Sequence, residues 1–147
     1  MLGTLNRSQI DEILRSQAVG RIGCSANGRT YVVPMNYVYD GASSVYFHTT
    51  EGLKIQMMRA NPSVCFEVDV VFDLANWQSV IARGEFEELT GEAATDGLEL
   101  VMKGLLPFIT GETTTPHRSS SQLEKLRTEV IVGRLILTDI TGRFEKR

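Results

Sequence analysis

The sequence predicts a mainly β protein in which six antiparallel strands form a closed or partly closed barrel with a few flanking helices. Short β-favouring runs recur along the 147 residues, turn dipeptides separate several of them, and helical spacing is confined to a few stretches. The last run, Thr128–Thr138, is apolar on both faces, so it needs a second cover, either a helix or a second copy of the chain. No internal repeat or domain boundary is visible, and residues 1–147 are expected to form one domain.

The first half of the chain predicts one helix and three strands. Asn6 and Gln9 approximate a capping box, so a short amphipathic helix is expected to begin there and to end near Gln17. Asn27-Gly28 is a strong two-residue hairpin turn, and Asp40-Gly41 is a second turn. The predicted strands around these turns are Val19–Ser25, Thr30–Tyr39 and Ser44–His48.

The strand Thr30–Tyr39 alternates between two faces. Pro34 lies within it and cannot donate a hydrogen bond to a sheet ladder, so we expect a local edge or a bulge at that position. One face carries Tyr31, Val33, Met35, Tyr37 and Tyr39, and the other carries Val32, Pro34, Asn36 and Val38.

The second half mixes strands with two helices. Gly52–Ala60 has helical spacing, and Asn61-Pro62 ends it because proline disfavours helical geometry in the residue before it. Segment 107–122 is the one candidate flexible loop, and such loops often cover a binding site. The remaining predicted elements are a strand Ser63–Val70, a loop Phe72–Asn76, a strand Trp77–Leu89, a helix Gly91–Gly104, a loop Leu106–Gln122 and the last strand.

Composition and charge exclude several classes of protein. With a net charge of −3, 42% hydrophobic and 22% charged residues, the chain has the composition of a soluble globular protein without the basic surface of a nucleic-acid binder. No apolar stretch approaches a membrane span and no signal pattern is present, so we expect a cytoplasmic protein. Cys24 and Cys65 lie in apolar strands, and the few cysteines and histidines predict no disulfide or metal site.

The stretch Val45–Asp69 predicts a phosphate site. His48, Thr49 and Thr50 come between a strand and a helix, and Lys54 lies in the first turn of that helix. The free N–H groups and the dipole at a helix N-terminus favour an anion. The alternative is an ordinary helix start without a ligand, in which the charge of Glu51 serves the dipole.

Four segments in this order carry a family resemblance. They are Val19–Gly23, Tyr31–Gly41, Val45–Asp69 and Trp77–Gly84, and they cover most of residues 8–90. Together they resemble the pyridoxamine 5′-phosphate oxidase-like family of FMN-binding split β-barrels, and within it the nitroimidazole-resistance flavoprotein branch. The closing Ile140–Arg143 is similar to the end of the family's last strand. The resemblance implies a six-stranded antiparallel split β-barrel that binds FMN in a groove at a homodimer interface.

The resemblance also implies which residues contact the cofactor. Lys54 is expected to bind the phosphate, with His48 and Thr49 hydrogen-bonding the phosphate or ribityl chain. The isoalloxazine ring is expected along Val33–Asn36, where main-chain groups of Pro34, Met35 and Asn36 meet its polar edge. Ser79 matches a polar contact on the fifth strand.

Two departures from the family pattern argue against oxidation of pyridoxamine phosphate. True oxidases resemble one another in an Arg-Lys pair at the phosphate turn, whereas Leu53 precedes Lys54 here. They also carry a C-terminal Trp and Arg set for the substrate, whereas Trp77 is the only tryptophan of this chain. We therefore expect the flavin site without that substrate.

The function expected from the resemblance is that of an FMN-dependent oxidoreductase, an NAD(P)H-linked reductase or an oxidase of a small molecule. His48 is the one candidate for a catalytic residue, with a structural histidine as the alternative. His117 and Arg118 belong either to a solvated loop or to a lid over the flavin. The alternatives for the whole protein are a flavin carrier or sensor without turnover, and the same fold with a deazaflavin or a haem.

Overall fold

A computed structural model of the chain describes residues 1–110 and 130–147. The predicted mainly β architecture is confirmed, although these residues form eight strands rather than the six expected. In chain order the elements are β1 (Leu2–Thr4), α1 (Arg7–Ser16), β2 (Val19–Ala26), β3 (Arg29–Asn36), β4 (Val38–Tyr39), β5 (Ser44–Thr49), α2 (Leu53–Ala60), β6 (Ser63–Asp73), β7 (Asn76–Glu88), α3 (Gly91–Thr110) and β8 (Ile131–Glu145).

All eight strands belong to one antiparallel sheet. Its order is β3-β2-β6-β7-β8-β5-β4, and β1 pairs with the C-terminal part of β8. Within the described residues, β3 and β4 at the two ends of this order are not paired with each other. They are nevertheless consecutive in the chain and joined through Tyr37, so the sheet curls into a barrel that stays split along one side.

The predicted strand Thr30–Tyr39 is divided at Tyr37, because the chain changes its pairing partner there. Asn36 is still opposite Val19 on β2, whereas Val38 is opposite Tyr46 on β5. The Tyr37 amide donates to the Ala18 carbonyl at 3.0 Å. Its buried hydroxyl donates to the Leu14 carbonyl at 2.7 Å, which ties the crossing point to α1.

Pro34 lies on an edge strand, as expected, since among the described strands β3 pairs only with β2. It keeps the regular register opposite Arg21, so no bulge forms there. The missing N–H therefore costs the sheet no ladder hydrogen bond on the open side of β3.

Local signals at the first helix and the first hairpin are confirmed. Asn6 and Gln9 form the reciprocal capping box at the start of α1. Asn27 and Gly28 both have positive φ, 53° and 77°, as the tight turn between β2 and β3 requires.

Two predicted boundaries in the second half shift. β6 continues to Asp73, and the predicted loop 72–76 shrinks to a tight turn in which the Asp73 carboxylate accepts from the Ala75 amide at 2.8 Å. α3 continues through Pro107 to Thr110, so the predicted loop cannot begin at Leu106. Leu105 is buried at this end of α3. The rest of the predicted loop, with His117 and Arg118, lies outside the described residues, and so does Thr128.

The core fills the inside of the barrel, with Tyr37, Phe47 and Phe66 as its largest buried side chains. Tyr37 and Phe66 pack edge to face, with ring centroids 5.1 Å apart. A second cluster lies outside the barrel, where α3 covers one end of β8; it comprises Leu89, Ala94, Leu98 and Val132. The second cover expected for the two-faced last strand is thus, at this end, a helix.

Candidate functional site

A cavity of about 210 Å³ lies at the split of the barrel. The end of β3, the end of β5, the first turn of α2 and the C-terminal half of α3 form its walls. Six of the eight cofactor contacts predicted from the sequence line it. The lining residues are Pro34, Met35, Asn36, Phe47, His48, Thr49, Lys54, Val101 and Leu105.

The opening follows from the change of strand partner at Tyr37. β4 is only two residues long and pairs with Val45 and Tyr46 of β5. Beyond Tyr46, the edge of β5 that carries His48 and Thr49 has no strand on that side in the described chain. The end of β3 and the end of β5 therefore face a gap in the sheet, and backbone groups at this gap are free for a ligand.

Lys54 brings a positive charge into this gap. Its ammonium group donates to Thr49 Oγ1 at 2.8 Å, and the side chain is half-buried. Among residues 1–110 and 130–147 it forms no ion pair with a carboxylate. An ammonium has three donors, so two remain for an anion placed beside Thr49.

The N-terminus of α2 adds partial positive charge beside the ammonium group of Lys54. Gly52 is the N-cap. Within residues 1–110 and 130–147 no side chain accepts from the first turn, and that turn holds no acidic residue. The first N–H groups of the helix are thus left for water or a ligand.

The carboxylate of Glu51 does not accept hydrogen bonds from these N–H groups at the start of α2. Its carboxylate accepts two hydrogen bonds from Arg59, at 2.7 and 3.0 Å. Arg59 also donates to Glu88 at 2.7 and 3.1 Å. The charge of Glu51 is therefore compensated by Arg59, which removes the main sequence argument against an anion here.

The imidazole of His48 lies at the rim of the cavity and has no hydrogen-bond partner in the described part of the chain. Partial burial lowers its pKa below the usual value, so the imidazole is neutral at pH 7. A neutral imidazole offers one donor and one acceptor. It can hydrogen-bond a ligand in either sense without adding charge.

Two predicted contacts lie elsewhere. Val33 points into the barrel and packs against the core, because odd-numbered residues of β3 face inward. Ser79 lies on β7, opposite Asp69 on β6 and Arg143 on β8, on the outer face of the sheet. Neither side chain reaches the cavity at the split.

Sequence reasoning missed the wall that α3 supplies. Val101 and Leu105 are buried side chains one helical turn apart, and they close the apolar side of the cavity. Their spacing was the available signal, since residues four apart share one face of a helix. Nothing in the sequence indicates that this face meets β3 and β5.

It also missed a cluster on the outer face. Glu67 and Asp69 of β6 share the guanidinium of Arg21 on β2. Burial first, and the neighbouring Asp69 second, raise the pKa of Glu67 to about 7, against the lowering effect of Arg21.

The described residues contain neither a metal-binding cluster nor a membrane-spanning helix. No group of three His, Cys, Asp or Glu side chains there has the proximity to hold a metal ion. Of the helices in residues 1–110 and 130–147, none combines the length and the apolar character needed to cross a bilayer.

Solved structures of similar proteins share this architecture. An FAD-binding protein from Mesorhizobium loti is 26% identical, with a TM-score of 0.78 and coverage of 100% of this chain and 98% of that one. The FAD-binding protein of Mycobacterium smegmatis is also 26% identical, with a TM-score of 0.67 and coverage of 97% and 100%. A candidate 5-nitroimidazole antibiotic resistance protein from Bacteroides thetaiotaomicron, at 22% identity, has the same fold, with a TM-score of 0.76 and coverage of 98% and 87%.

Sequence comparison gives a relative and a family. The uncharacterized protein RA0666 of Rhizobium meliloti (strain 1021) is 27% identical over 85 residues, which are 58% of this chain and 56% of that relative. The family model described as pyridoxamine 5′-phosphate oxidase matches residues 6–144. Since that match spans nearly the whole chain, the protein belongs to the pyridoxamine 5′-phosphate oxidase family.

Proposed function

We propose that this protein binds FMN at the split of the barrel and uses it as an oxidoreductase of a small molecule. The observation that carries the proposal is the convergence of Lys54, Thr49 and the uncapped N-terminus of α2 beside the free edge of β3. Two similar proteins of solved structure are described as FAD-binding, which supports a flavin as the ligand.

The phosphate is assigned to the start of α2. Lys54 supplies a full charge, Thr49 a hydroxyl, and the first turn of the helix its N–H groups, a combination that favours a phosphate over a neutral ligand. Lys54 is the one cationic side chain lining this cavity in the described chain. A single cation and a single helix N-terminus match one phosphate, which favours FMN over a dinucleotide.

The ring is assigned to the end of β3. Half of the N–H and C=O groups of an edge strand point away from its one neighbour, and on β3 they face the gap at Pro34–Asn36. Such groups can pair with the polar edge of an isoalloxazine. Val101 and Leu105 offer an apolar wall on the opposite side.

A second copy of the chain is proposed to complete the site. A cavity of about 210 Å³ is smaller than the roughly 300–1,000 Å³ of typical ligand pockets, so more of the flavin must be covered from outside. The outer face of β3, β2, β6 and β7 holds a groove of about 740 Å³. Val32 and Ile81 in that groove are 69% and 53% exposed, which suits them to burial in a homodimer.

The bound flavin supplies the redox chemistry, with a nicotinamide nucleotide as the electron donor. The chain's residues bind and orient it, and neutral His48 can donate or accept one hydrogen bond at the rim. Leu53 stands where the true oxidases carry the first residue of an Arg-Lys pair, so pyridoxamine phosphate is not the proposed substrate. The cytoplasm, where thiols stay reduced, suits the two free cysteines.

An absorbance spectrum of the purified protein, with mass spectrometry of the ligand released on denaturation, tests the cofactor. A flavin spectrum with the mass of FMN supports the proposal, and FAD, a deazaflavin, a haem or no ligand would contradict it. Anaerobic addition of NADH or NADPH, followed by a quinone or a nitroaromatic compound, tests the reaction. Bound FMN that no donor reduces would instead indicate a carrier or sensor.

A further inference from the structure

A compact ionic cluster lies on the outer face of the sheet, where β2 pairs with β6. Arg21 Nη1 is 3.4 Å from Glu67 Oε1 and 3.6 Å from Asp69 Oδ1. One guanidinium thus serves two carboxylates that neighbour each other on one face of β6. With both carboxylates ionised, the cluster carries a net charge of −1.

The other charged residues of this face form no ion pair with Glu67 or Asp69 in the described chain. Asp69 of β6 lies opposite Ser79 of β7, and Ser79 in turn lies opposite Arg143 of β8. β7 contributes Arg83, opposite Cys65 and 3.8 Å from Asp139, and Glu85, which lines the groove. On the other side of the sheet, α1 contributes Ile10, Ile13 and Leu14 to the core. No further ion pair in the described chain therefore offsets the net charge of −1 on the cluster.

We propose that association of two copies through this face is coupled to proton uptake by the Glu67–Asp69 pair, so that the dimer tightens as the pH falls. This inference rests on the homodimer in the proposed function. A two-fold interface buries the same patch of both copies, so two clusters lose water together. Burying an uncompensated carboxylate is costly, and a proton shared by the pair leaves one carboxylate for Arg21.

The half-buried position of the carboxylates supports the proposal. The side chains of Glu67 and Asp69 are 29% and 34% exposed in the single chain. Burial and the adjacent Asp69 already raise the pKa of Glu67 to about 7. Further loss of water beneath a second copy acts in the same direction, since desolvation disfavours the charged form.

Analytical ultracentrifugation across a dilution series, at about pH 6 and about pH 8.5, tests the coupling. Uptake of about one proton by each copy predicts a dimer dissociation constant at least about tenfold larger at the higher pH. Glu67→Gln and Asp69→Asn each remove one carboxylate of the pair with little change of shape. Both variants are expected to dimerise with a smaller pH dependence. Glu85→Gln, which removes a carboxylate that lines the groove of the same face away from the cluster, is expected to keep the wild-type dependence.

The outcomes distinguish failure of the proton coupling from failure of the proposed function. A dimer of equal affinity at both pH values overturns the proton coupling and leaves the dimer intact. A monomer under all conditions overturns both the coupling and the proposed dimer. The flavin absorbance of the same samples reports whether the cofactor site survives independently. A Glu67→Gln variant with undiminished pH dependence would also overturn the assignment to this pair.

Discussion

The ammonium group of Lys54 donates a 2.8 Å hydrogen bond to Thr49 Oγ1. This contact joins the first turn of α2 to the end of β5 and holds a cation at the gap of the barrel. A lysine directed to a hydroxyl rather than to a carboxylate keeps its charge available to an incoming anion. The arrangement suits the proposed phosphate, and it can be tested one residue at a time.

Removing the charge of Lys54 is expected to weaken the binding of FMN. Lys54→Met keeps most of the apolar stem but loses a charge-assisted hydrogen bond, which contributes about 1.5–3 kcal/mol, so affinity should fall by about tenfold or more. Fluorescence titration of the apoprotein with FMN and with riboflavin, which lacks the phosphate, measures the effect.

The affinity for riboflavin should change little in the same variant. Lys103→Met serves as the matched control, because Lys103 lies on the exposed face of α3 and pairs with Glu99 at 2.8 Å. An equal loss for both ligands would show that the phosphate lies elsewhere.

A carboxylate at the N-cap of α2 is expected to affect stability and binding in opposite directions. Gly52 has an extended backbone, and apart from its chain neighbours no atom of the described residues lies within 4 Å of where its Cβ would be. Gly52→Asp can therefore cap the helix and complement its dipole, adding about 0.5 kcal/mol to the free energy of unfolding of the apoprotein. The same charge should repel the phosphate and weaken FMN binding.

Gly52→Asn separates the two effects, because asparagine caps the helix without a charge. Urea unfolding of the apoprotein and FMN titration should be run on both variants. We expect both to be stabilised and Gly52→Asp to bind FMN more weakly than Gly52→Asn. Equal FMN affinities in the two variants would argue against a phosphate at this terminus.

The lowered pKa of His48 predicts how stability depends on pH. Burial favours the neutral imidazole in the folded state, so below about pH 6.5 the unfolded chain binds more protons than the folded one. The stability due to this group is therefore complete above that pH and is lost as the pH falls through the lower, folded-state pKa. Removing the titration by His48→Gln should make the apoprotein less sensitive to acid.

The measurement is the difference in free energy of unfolding between wild type and His48→Gln, by urea titration from about pH 8 to about pH 5. The difference should be constant at the alkaline end and should shift in favour of the variant as the pH falls. Taking differences cancels the titration of groups common to both proteins. A difference that shifts the other way would mean that the folded chain stabilises the charged imidazole.

Local chemistry explains which parts of the fold were predictable. The capping box of Asn6 and Gln9 and the positive φ angles at Asn27 and Gly28 depend on neighbouring residues only. The division at Tyr37 was not predictable, because the same alternation of faces describes one long strand or two strands with different partners. That choice is made by distant contacts with Ala18, Leu14 and Tyr46.

The candidate site was predictable to the extent that it is local in sequence. His48, Thr49 and Lys54 lie within one strand–turn–helix unit, and the segment 34–36 was placed beside them by family resemblance. Ser79 was expected with them, but its strand puts it on the outer face. Val101 and Leu105 reach the cavity only because α3 packs against the open side of the barrel, a tertiary contact that helical periodicity does not encode.

The position of α3 depends on a close contact between Gly104 and β4. A Cβ added at Gly104 would lie 2.6 Å from both γ carbons of Val38, so Gly104→Ala must push α3 away from the strand. Overpacking of this kind costs about 1–3 kcal/mol. Because Leu105 lines the cavity one residue further on, FMN affinity should fall together with the thermal midpoint.

In the double variant Gly104→Ala/Val38→Ala the clashing γ carbons are gone, and much of both losses should be recovered. If Gly104→Ala were destabilised yet bound FMN with wild-type affinity, the wall formed by α3 would have no part in holding the flavin.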